Sequence, residues 1–421
     1  MNEPKITTSG RNLTCLFEKE KVEVSCLFLI VEKLAVKGEI TIFATFPPKE
    51  GFKMEPVHGP ATFNFSSTLS RAQLKRTLES RDDERDWYTI IEYACRHAIS
   101  WARRGEPAQM LWAYDGQDLP LEWALWPLLQ KGKPTVLFGD GGTMKSTIVT
   151  IMCIAMALPT PIVGWQPKLQ VPLYLDYEDD EDTFTRRLAQ ICTGMGLPDA
   201  IGILHRHCDT PLIYDQEAIQ TIIVEHGITV VVIDSVEAAI THHQGGREGP
   251  TSEFYNALRG LGKGITTILI DHISKDGDKK GKAIGSVMKG NRARSTYEVR
   301  KFQGVGDKEV NVALYHRKVN EGPLQKTHGY RLDFSNESIA IARLDAGRIP
   351  TLREGMSVRE QVLALLEEQG PMTLDALNAE IGRGDQVKAR LNELAKSGKV
   401  VKGDTGQWAL RSWEEIGGED Q

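Results

Sequence analysis

The chain lacks the features that mark membrane, secreted and disulfide-rich proteins. Among its 421 residues, no apolar run reaches the roughly 18 residues that a membrane helix needs. The first residues, MNEPKITTSGRN, are polar and contain no apolar core of a signal peptide. The six cysteines include no Cys-x-x-Cys pair and no zinc-finger spacing, which favours reduced and buried thiols. We therefore expect a cytoplasmic protein without a membrane segment.

A large charge imbalance is also missing. The formal net charge is -6, with 51 Lys and Arg against 57 Asp and Glu, so any nucleic-acid-binding surface must be local. The hydrophobic content of 41% and the charged content of 26% are those of a globular protein. This length exceeds one ordinary domain and suggests two or three.

Composition and periodicity divide the chain into three segments. Residues 1–115 combine extended apolar runs with a helical stretch near 87–103, which predicts an α+β module. In residues 116–350, strand-like runs such as TVLFG, VPLYLDY, TVVVIDS and TTILIDH alternate with helical patterns. That alternation predicts an α/β core whose sheet is mainly parallel, with helices on both faces. Residues 351–421 change to short helical patterns and end in an acidic tail.

The first of these core runs leads into a glycine-rich segment typical of a phosphate-binding loop. Glycines let backbone N–H groups face a phosphate, and the helix that follows directs its positive end at the anion. Lys145 is expected to reach the β- and γ-phosphates of ATP, and the Ser146 hydroxyl to bind Mg²⁺. The predicted nucleotide-binding residues are Gly139, Asp140, Gly141, Gly142, Thr143, Met144, Lys145, Ser146 and Thr147.

One position of this loop departs from the usual pattern G-x-x-x-x-G-K-[ST]. Met144 stands where the second glycine is expected. Either Met144 adopts backbone angles that suit an L-residue, or its side chain weakens the nucleotide site.

Ligands of parallel sheets bind beyond the carboxyl ends of the strands, so the residues that end each run are candidates for catalysis. Asp234 ends VVVID and can hold a Mg²⁺-bound water; the alternative is a carboxylate that only caps a helix. Glu178 follows VPLYLDY and can activate the attacking water. Asp176, Asp179 and Asp180 compete with Glu178, or are simply solvated charges.

Two further strand ends carry basic or titratable groups. His272 ends TTILIDH, where a polar side chain can sense the γ-phosphate; a histidine at the edge of the core is the alternative. The run NVALYHRK brings Arg317 and Lys318 to a strand end, where a cation can reach the nucleotide of a neighbouring subunit. An exposed basic strand end without catalytic role is equally compatible with this pattern.

The segments GDGGTMKST, YLDYED, VVVIDS, LIDHISK and HRKVNEGP, in this order, resemble RepA-like ATPases of the RecA/DnaB superfamily, which are frequent in plasmids, phages and integrative elements. The resemblance covers about residues 119–345. It implies a RecA-like core, ATP and Mg²⁺ as cofactors, and a homo-oligomeric ring such as a hexamer. KVNEGP is similar to the K-x-R-x-G-P finger segment of hexameric helicases, with Asn320 in place of the arginine, which leaves Lys318 or Arg317 as the finger.

The segment from Lys279 to Lys301 contains eight Lys or Arg and one acidic residue, Glu298. Such dense positive charge can neutralise phosphates without reading sequence, and we predict a glycine-punctuated loop that binds single-stranded DNA. In RecA-like motors the corresponding region carries DNA-contacting loops. A solvated loop without a ligand is the alternative. The predicted contacts are Lys289, Arg292 and Arg294, of which the two arginines are also candidates for contact with nucleotide across an interface.

The C-terminal segment predicts a winged helix, in which three short helices precede a hairpin around residues 400–410. Thr373 is expected to cap the second helix. The third helix and the hairpin can meet duplex DNA, although winged helices also dock proteins. The predicted DNA contacts in this segment are Lys388, Arg390, Lys399 and Lys402.

Together these patterns predict a Mg²⁺-dependent ATPase. A DNA helicase or translocase of a mobile genetic element is the leading hypothesis. A nucleotide-switched, DNA-binding regulator without unwinding activity and a scaffold that does not hydrolyse ATP are the alternatives.

Overall fold

The fold was analysed in a computed structural model of the chain. The structure describes residues 3–9, 11–32, 35–45, 54–104, 110, 120–198, 201–240, 248–272, 292–335, 337–403 and 405–411. The chain divides into two compact units, Met1–Asp118 and Leu119–Gln421, and each is described by itself.

The first unit is an antiparallel sheet covered by two helices. Its five strands follow one another in chain order across the sheet, and their inward side chains form one apolar core with the helices. Trp87, fully buried at the start of the second helix, is among the largest side chains of that core. The elements are β1 (Lys5–Ser9), β2 (Asn12–Phe17), β3 (Val22–Glu32), β4 (Ala35–Ala44), β5 (Glu55–Asn64), α1 (Thr68–Glu79) and α2 (Trp87–Arg104).

The second unit is built on a nine-stranded sheet and carries a small three-stranded sheet at its start. The small sheet contains β6 (Trp123–Trp126), β7 (Leu129–Gln130) and β9 (Gln166–Pro167). The large sheet contains β8 (Pro134–Gly139), β10 (Pro172–Asp176), β11 (Leu204–His207), β12 (Val230–Asp234), β13 (Thr266–His272), β14 (Ser295–Phe302), β15 (Glu309–Val319), β16 (His328–Phe334) and β17 (Ile339–Leu344).

The strand order of the large sheet is β11-β10-β12-β13-β8-β14-β15-β16-β17. From β11 to β14 all neighbours are parallel, and β15, β16 and β17 extend the sheet in antiparallel fashion. The prediction of a mainly parallel α/β core is therefore confirmed. Because β8 lies in the middle of the sheet, the loop that follows it has strand ends on both sides.

Helices cover both faces of this sheet. The helices are α3 (Lys145–Ala157), α4 (Glu181–Met195), α5 (Leu212–His226), α6 (Val236–Ala239) and α7 (Glu248–Gly260). Helices α3 and α4 pack on one face in an apolar cluster with Leu137 and Val299, while α5 and α7 pack on the other with Val136 and Ile233. Alternate residues of the strands thus point to opposite cores, as a doubly covered sheet requires.

The position of β14 corrects one sequence-based prediction. Residues up to Lys301 were predicted to belong to a basic loop, but Ser295–Phe302 form a strand hydrogen-bonded directly to β8. The basic residues concealed a strand pattern, since Thr296, Tyr297, Glu298 and Val299 are all buried. Arg300 and Lys301 are consequently held on a rigid element beside the phosphate loop.

The C-terminal part belongs to the second unit and contains the predicted helices and hairpin. A 3-10 turn (Ala346–Arg348) and α8 (Pro350–Arg353) lead into α9 (Val358–Gln369), α10 (Leu374–Ile381), α11 (Gly384–Lys396), β18 (Val400–Lys402) and β19 (Trp408–Leu410). The Thr373 hydroxyl accepts a hydrogen bond from the Ala376 N–H, so the predicted helix cap is confirmed. Leu377, Val387, Leu391 and Leu394 are buried between the three helices.

In the described parts of the chain, we find no helix that is both long and apolar enough to cross a membrane.

Candidate nucleotide site

The phosphate loop joins β8 to α3 and is shaped by its glycines. A side chain at Gly139 would collide with the carbonyl oxygen of Val299 on β14, so only glycine fits there. Gly142 has a φ of +71°, a left-handed conformation that glycine adopts without strain. The Thr143 hydroxyl donates to the Asp140 carbonyl across the loop at 2.8 Å. The loop is thus closed and ends where α3 begins at Lys145.

Met144 keeps the backbone shape of the glycine that it replaces. Its φ of 67° and ψ of 21° lie in the left-handed region, which is unfavourable for an L-residue by about 1–2 kcal/mol. Its side chain packs against the apolar core beneath α3. The expectation of ordinary L-residue angles is therefore wrong, but the loop keeps its shape, so the left-handed angles by themselves do not imply a weaker nucleotide site. Packing of its side chain offsets part of the backbone cost.

Lys145 lies inside the loop. Its ammonium donates to the carbonyl oxygens of Gly139 at 3.0 Å and Asp140 at 2.8 Å, and only 6% of the residue is exposed. Burial lowers the pKa of Lys145, while the carboxylates of Asp234 and Glu178 oppose that shift. A buried cation surrounded by backbone carbonyls is well suited to receive phosphate oxygens.

Asp234 lies at the end of β12, next to the start of α3. Its carboxylate accepts a hydrogen bond from the Tyr174 hydroxyl at 2.6 Å and another from Ser146. Burial raises the pKa of Asp234 to about 6, against the lowering effect of these two hydrogen bonds. A buried carboxylate beside a serine hydroxyl provides the hard oxygen donors that Mg²⁺ prefers. Ser146 would therefore bind the ion directly and Asp234 through a water, and the ion would stabilise charge on the phosphates.

Glu178 lies in the turn after β10 and contacts residues at the ends of β12 and β13, the next two strands of the sheet on that side. Its carboxylate accepts a short hydrogen bond from the Ser235 hydroxyl, and it lies 3.3 Å from Nε2 of His272. These contacts follow from the parallel register, which aligns Asp176 of β10 with Asp234 of β12 and Asp234 with Ile270 of β13. The structure thus brings the predicted water-activating and sensor residues together.

The neighbouring carboxylates have structural partners. Asp176 accepts the N–H groups of Glu178 at 3.1 Å and Asp179 at 2.8 Å, which fixes the turn. Asp179 forms an ion pair with Arg187, and Asp180 caps α4. Glu178 is therefore the acidic residue of this segment that faces His272 and Ser235.

Sequence reasoning missed two residues of this site. Tyr174 supports Asp234, and Ser235 holds Glu178. Two-residue alternation could have placed Tyr174 on the face that α3 covers, and the position of Ser235 directly after Asp234 could have marked it as a neighbour of any ligand.

The predicted finger residues lie away from the phosphate loop of their own chain. Lys318 aligns with Thr296 of β14, and Thr296 aligns with Val136 near the start of β8. The Lys318 ammonium donates to the Ala293 carbonyl at 2.8 Å, and burial lowers its pKa. Arg317 is paired with Glu298 and donates to the Gly355 carbonyl, so it already serves to link β15 to the C-terminal part.

The predicted DNA contacts are dispersed. Lys289 lies outside the described residues, Arg292 donates to the Ser252 hydroxyl of α7, and the N–H of Arg294 donates to the Pro134 carbonyl at the start of β8. In the C-terminal part, the four predicted side chains are exposed on α11 and on the hairpin segment. Those four are Lys388, Arg390, Lys399 and Lys402, and Arg390 is engaged with Glu393 of its own helix.

Comparison with known proteins supports the nucleotide site. Residues 103–278 match a family model described as an AAA domain. This region includes the phosphate loop, Glu178, Asp234 and His272. Together with the loop geometry, the match supports the assignment of the core as a P-loop ATPase domain built on a mainly parallel α/β sheet. No curated protein matches the chain significantly.

Two similar solved structures are the flagellar accessory protein FlaH from Methanocaldococcus jannaschii and the RadB recombinase. FlaH is 14% identical, covering 51% of this chain and 91% of its own, with a TM-score of 0.35. RadB is 15% identical, covering 52% of this chain and 93% of its own, with a TM-score of 0.37.

Proposed function

We propose that this protein is an ATP-dependent DNA helicase or translocase of the RepA-like type, acting in the cytoplasm in the replication or mobilisation of a phage, plasmid or integrative element. The observation that carries the proposal is the separation of two sets of residues along one sheet. Lys145, Glu178 and His272 lie at the carboxyl ends of the parallel strands, which we call the phosphate edge. Arg294 and Lys318 lie near the amino ends of these strands, which we call the opposite edge.

This separation suits a head-to-tail ring such as a hexamer. A cation near the opposite edge cannot serve the nucleotide of its own chain, because Lys318 aligns with Val136, three residues or about 10 Å before Gly139 along β8. In a heterologous interface, the opposite edge of one subunit meets the phosphate edge of the next. Lys318 would then approach the neighbour's nucleotide. Arg317 would first have to leave Glu298.

DNA is the proposed polymer on which the ATPase acts. Arg292 and Arg294 adjoin the basic segment that precedes them, and they would contact single-stranded DNA or a nucleotide across the interface. The C-terminal helices and hairpin would act as a winged helix, with Lys388, Arg390, Lys399 and Lys402 facing duplex DNA.

The alternative is a nucleotide-switched DNA-binding regulator that does not unwind DNA. The attachment of the C-terminal part to the sheet favours this alternative. Tyr315 of β15 donates to the Leu352 carbonyl, Arg317 donates to the Gly355 carbonyl, and the Thr327 N–H donates to Glu360 at the start of α9. A change in the sheet on nucleotide binding would thus reach the helices directly.

Hydrolysis of ATP measured with and without single-stranded DNA, together with displacement of a labelled strand, separates the two proposals. The helicase proposal predicts strong stimulation by DNA and ATP-dependent displacement, both lost in Lys145→Ala. Duplex binding that depends on nucleotide, without displacement, would contradict the helicase and favour the regulator.

A further inference from the structure

The strand β14 brings a second lysine to the phosphate loop. Side chains alternate along a strand, and Tyr297 and Val299 both enter the apolar core that α3 covers. Lys301 is the next residue on that same face. Two residues beyond Val299, the strand has passed the end of β8, where the core gives way to the loop. Lys301 therefore leaves the core at the point where a phosphate would bind.

The distance between Lys301 and the loop is short. The Lys301 ammonium lies 3.8 Å from the place that a Cβ atom at Gly142 would occupy. The backbone is held there from both sides, because Glu298 aligns with Phe138 of β8 and Lys301 aligns with Val312 of β15. Lys301 thus reaches Gly142 from a strand of the central sheet, and its position does not depend on a mobile loop.

The ammonium of Lys301 is available to an anion. Within the described residues, Lys301 forms no ion pair. The nearest carboxylate along the strand, Glu298, points to the other face and is paired with Arg300 and Arg317. The ammonium of Lys145 belongs to the same loop. A polyphosphate in the loop would attract both ammonium groups.

We propose that Lys301 is a second phosphate-binding cation, which contacts the β- or γ-phosphate of a nucleotide bound to its own chain. The inference rests on the proposed binding of ATP and adds a residue to that site. Lys145 approaches the phosphates from inside the loop, and Lys301 approaches them over Gly142. This cation acts within one chain, unlike the trans-acting role proposed for Lys318.

The test measures ATP affinity by titration with a fluorescent, non-hydrolysable ATP analogue in the full-length protein. Lys301→Met keeps the length and the apolar stem of the side chain but removes its charge, whereas Lys301→Arg keeps the charge. Lys308→Met is the matched control, because Lys308 is an exposed lysine of the same β14–β15 hairpin that does not face the loop. Thermal unfolding without nucleotide shows whether each variant is folded.

We expect Lys301→Met to weaken the binding of the analogue about tenfold, the change that follows from losing one charge-assisted hydrogen bond at a partly exposed site. Lys301→Arg should stay within about threefold of the wild type, as should Lys308→Met. Equal affinities of Lys301→Met and the wild type, with Lys145→Ala no longer binding, would overturn the inference and leave the nucleotide site intact. Absence of binding by the wild type would instead refute the proposed ATP site itself.

Discussion

The two edges of the nine-stranded sheet differ in how their charged side chains are used. At the phosphate edge, hydrogen bonds hold each charged side chain in place. The Lys145 ammonium donates to the loop carbonyls, the Ser235 hydroxyl donates to Glu178, and the Tyr174 hydroxyl donates to Asp234. Near the opposite edge, the Lys318 ammonium donates to the Ala293 carbonyl, and the backbone N–H of Arg294 donates to the Pro134 carbonyl. The charged side chains at the phosphate edge are thus positioned by neighbouring groups without any ligand, whereas we propose that the cations near the opposite edge meet a partner subunit.

Replacing the predicted water-activating residue, Glu178, should have the largest effect on ATP hydrolysis. Glu178→Gln keeps the shape of the side chain but removes its basicity, and we expect the rate of hydrolysis to fall by about 10²–10⁴. ATP affinity should change little, because Lys145 and the loop are untouched. Single-turnover hydrolysis and equilibrium binding measure the two effects, with the exposed Glu181→Gln as control. Hydrolysis that survives in Glu178→Gln would show that another group activates the water.

Removing the cation near the opposite edge should have a smaller effect. Lys318→Met is expected to reduce DNA-stimulated hydrolysis by about tenfold to a hundredfold, less than a typical arginine finger contributes, because Asn320 replaces the second cation of the motif. The exposed Arg331→Met on the next strand is the matched control. An equal loss in Arg331→Met would indicate a general effect of charge and not a specific contact.

The buried carboxylate of Asp234 should affect stability as well as activity. Its pKa rises from an ordinary 3.8 to about 6 on folding, so the folded state binds more protons between these values. This contribution therefore favours the fold at low pH and is lost as the pH rises through about 6. Without nucleotide, Asp234→Asn should be more stable than the wild type by about 3 kcal/mol at pH 7.5 and nearly equal to it at pH 4.

Unfolding in urea at the two pH values measures this difference. Addition of ADP and Mg²⁺ should stabilise the wild type at pH 7.5 and should stabilise Asp234→Asn much less. A variant that is less stable than the wild type at pH 7.5 would contradict the view that the buried charge of Asp234 lowers the stability of the fold until a cation binds.

The smallest change is expected at the unusual position of the loop. Met144→Gly removes about 1–2 kcal/mol of left-handed strain but also loses the packing of the side chain and adds flexibility to the unfolded chain. These terms nearly cancel, and we expect the free energy of unfolding to change by less than about 1 kcal/mol. ATP affinity should stay within about threefold. A marked gain in affinity would show that methionine restrains the site.

The comparison also explains what could be predicted from the sequence. Glu178, Asp234 and His272 were predictable because each ends an apolar run, and parallel strands bring such ends together. Tyr174 was not, since a buried tyrosine in a strand has the same pattern whether or not it supports a carboxylate. The strand β14 was missed because Arg292, Arg294, Arg300 and Lys301 make its surroundings resemble a basic loop. Long-range pairing with β8 decided its conformation, and local composition does not report such pairing.

The C-terminal helices were predictable for the opposite reason, because their capping and their apolar spacing are local. Thr373 caps α10, and Val387, Leu391 and Leu394 repeat at helical spacing toward one core.

A mixture of two impaired proteins tests whether the two edges form one site between subunits. Lys145→Met has a damaged phosphate edge and an intact opposite edge, and Lys318→Met has the reverse. If subunits exchange at random in a head-to-tail ring, an equal mixture assembles about a quarter of its interfaces from two intact edges. We predict that DNA-stimulated hydrolysis returns to about a quarter of the wild-type rate. Hydrolysis no greater than the sum of the separate variants, in mixtures shown to form joint oligomers, would contradict the claim that the two edges form one site between subunits.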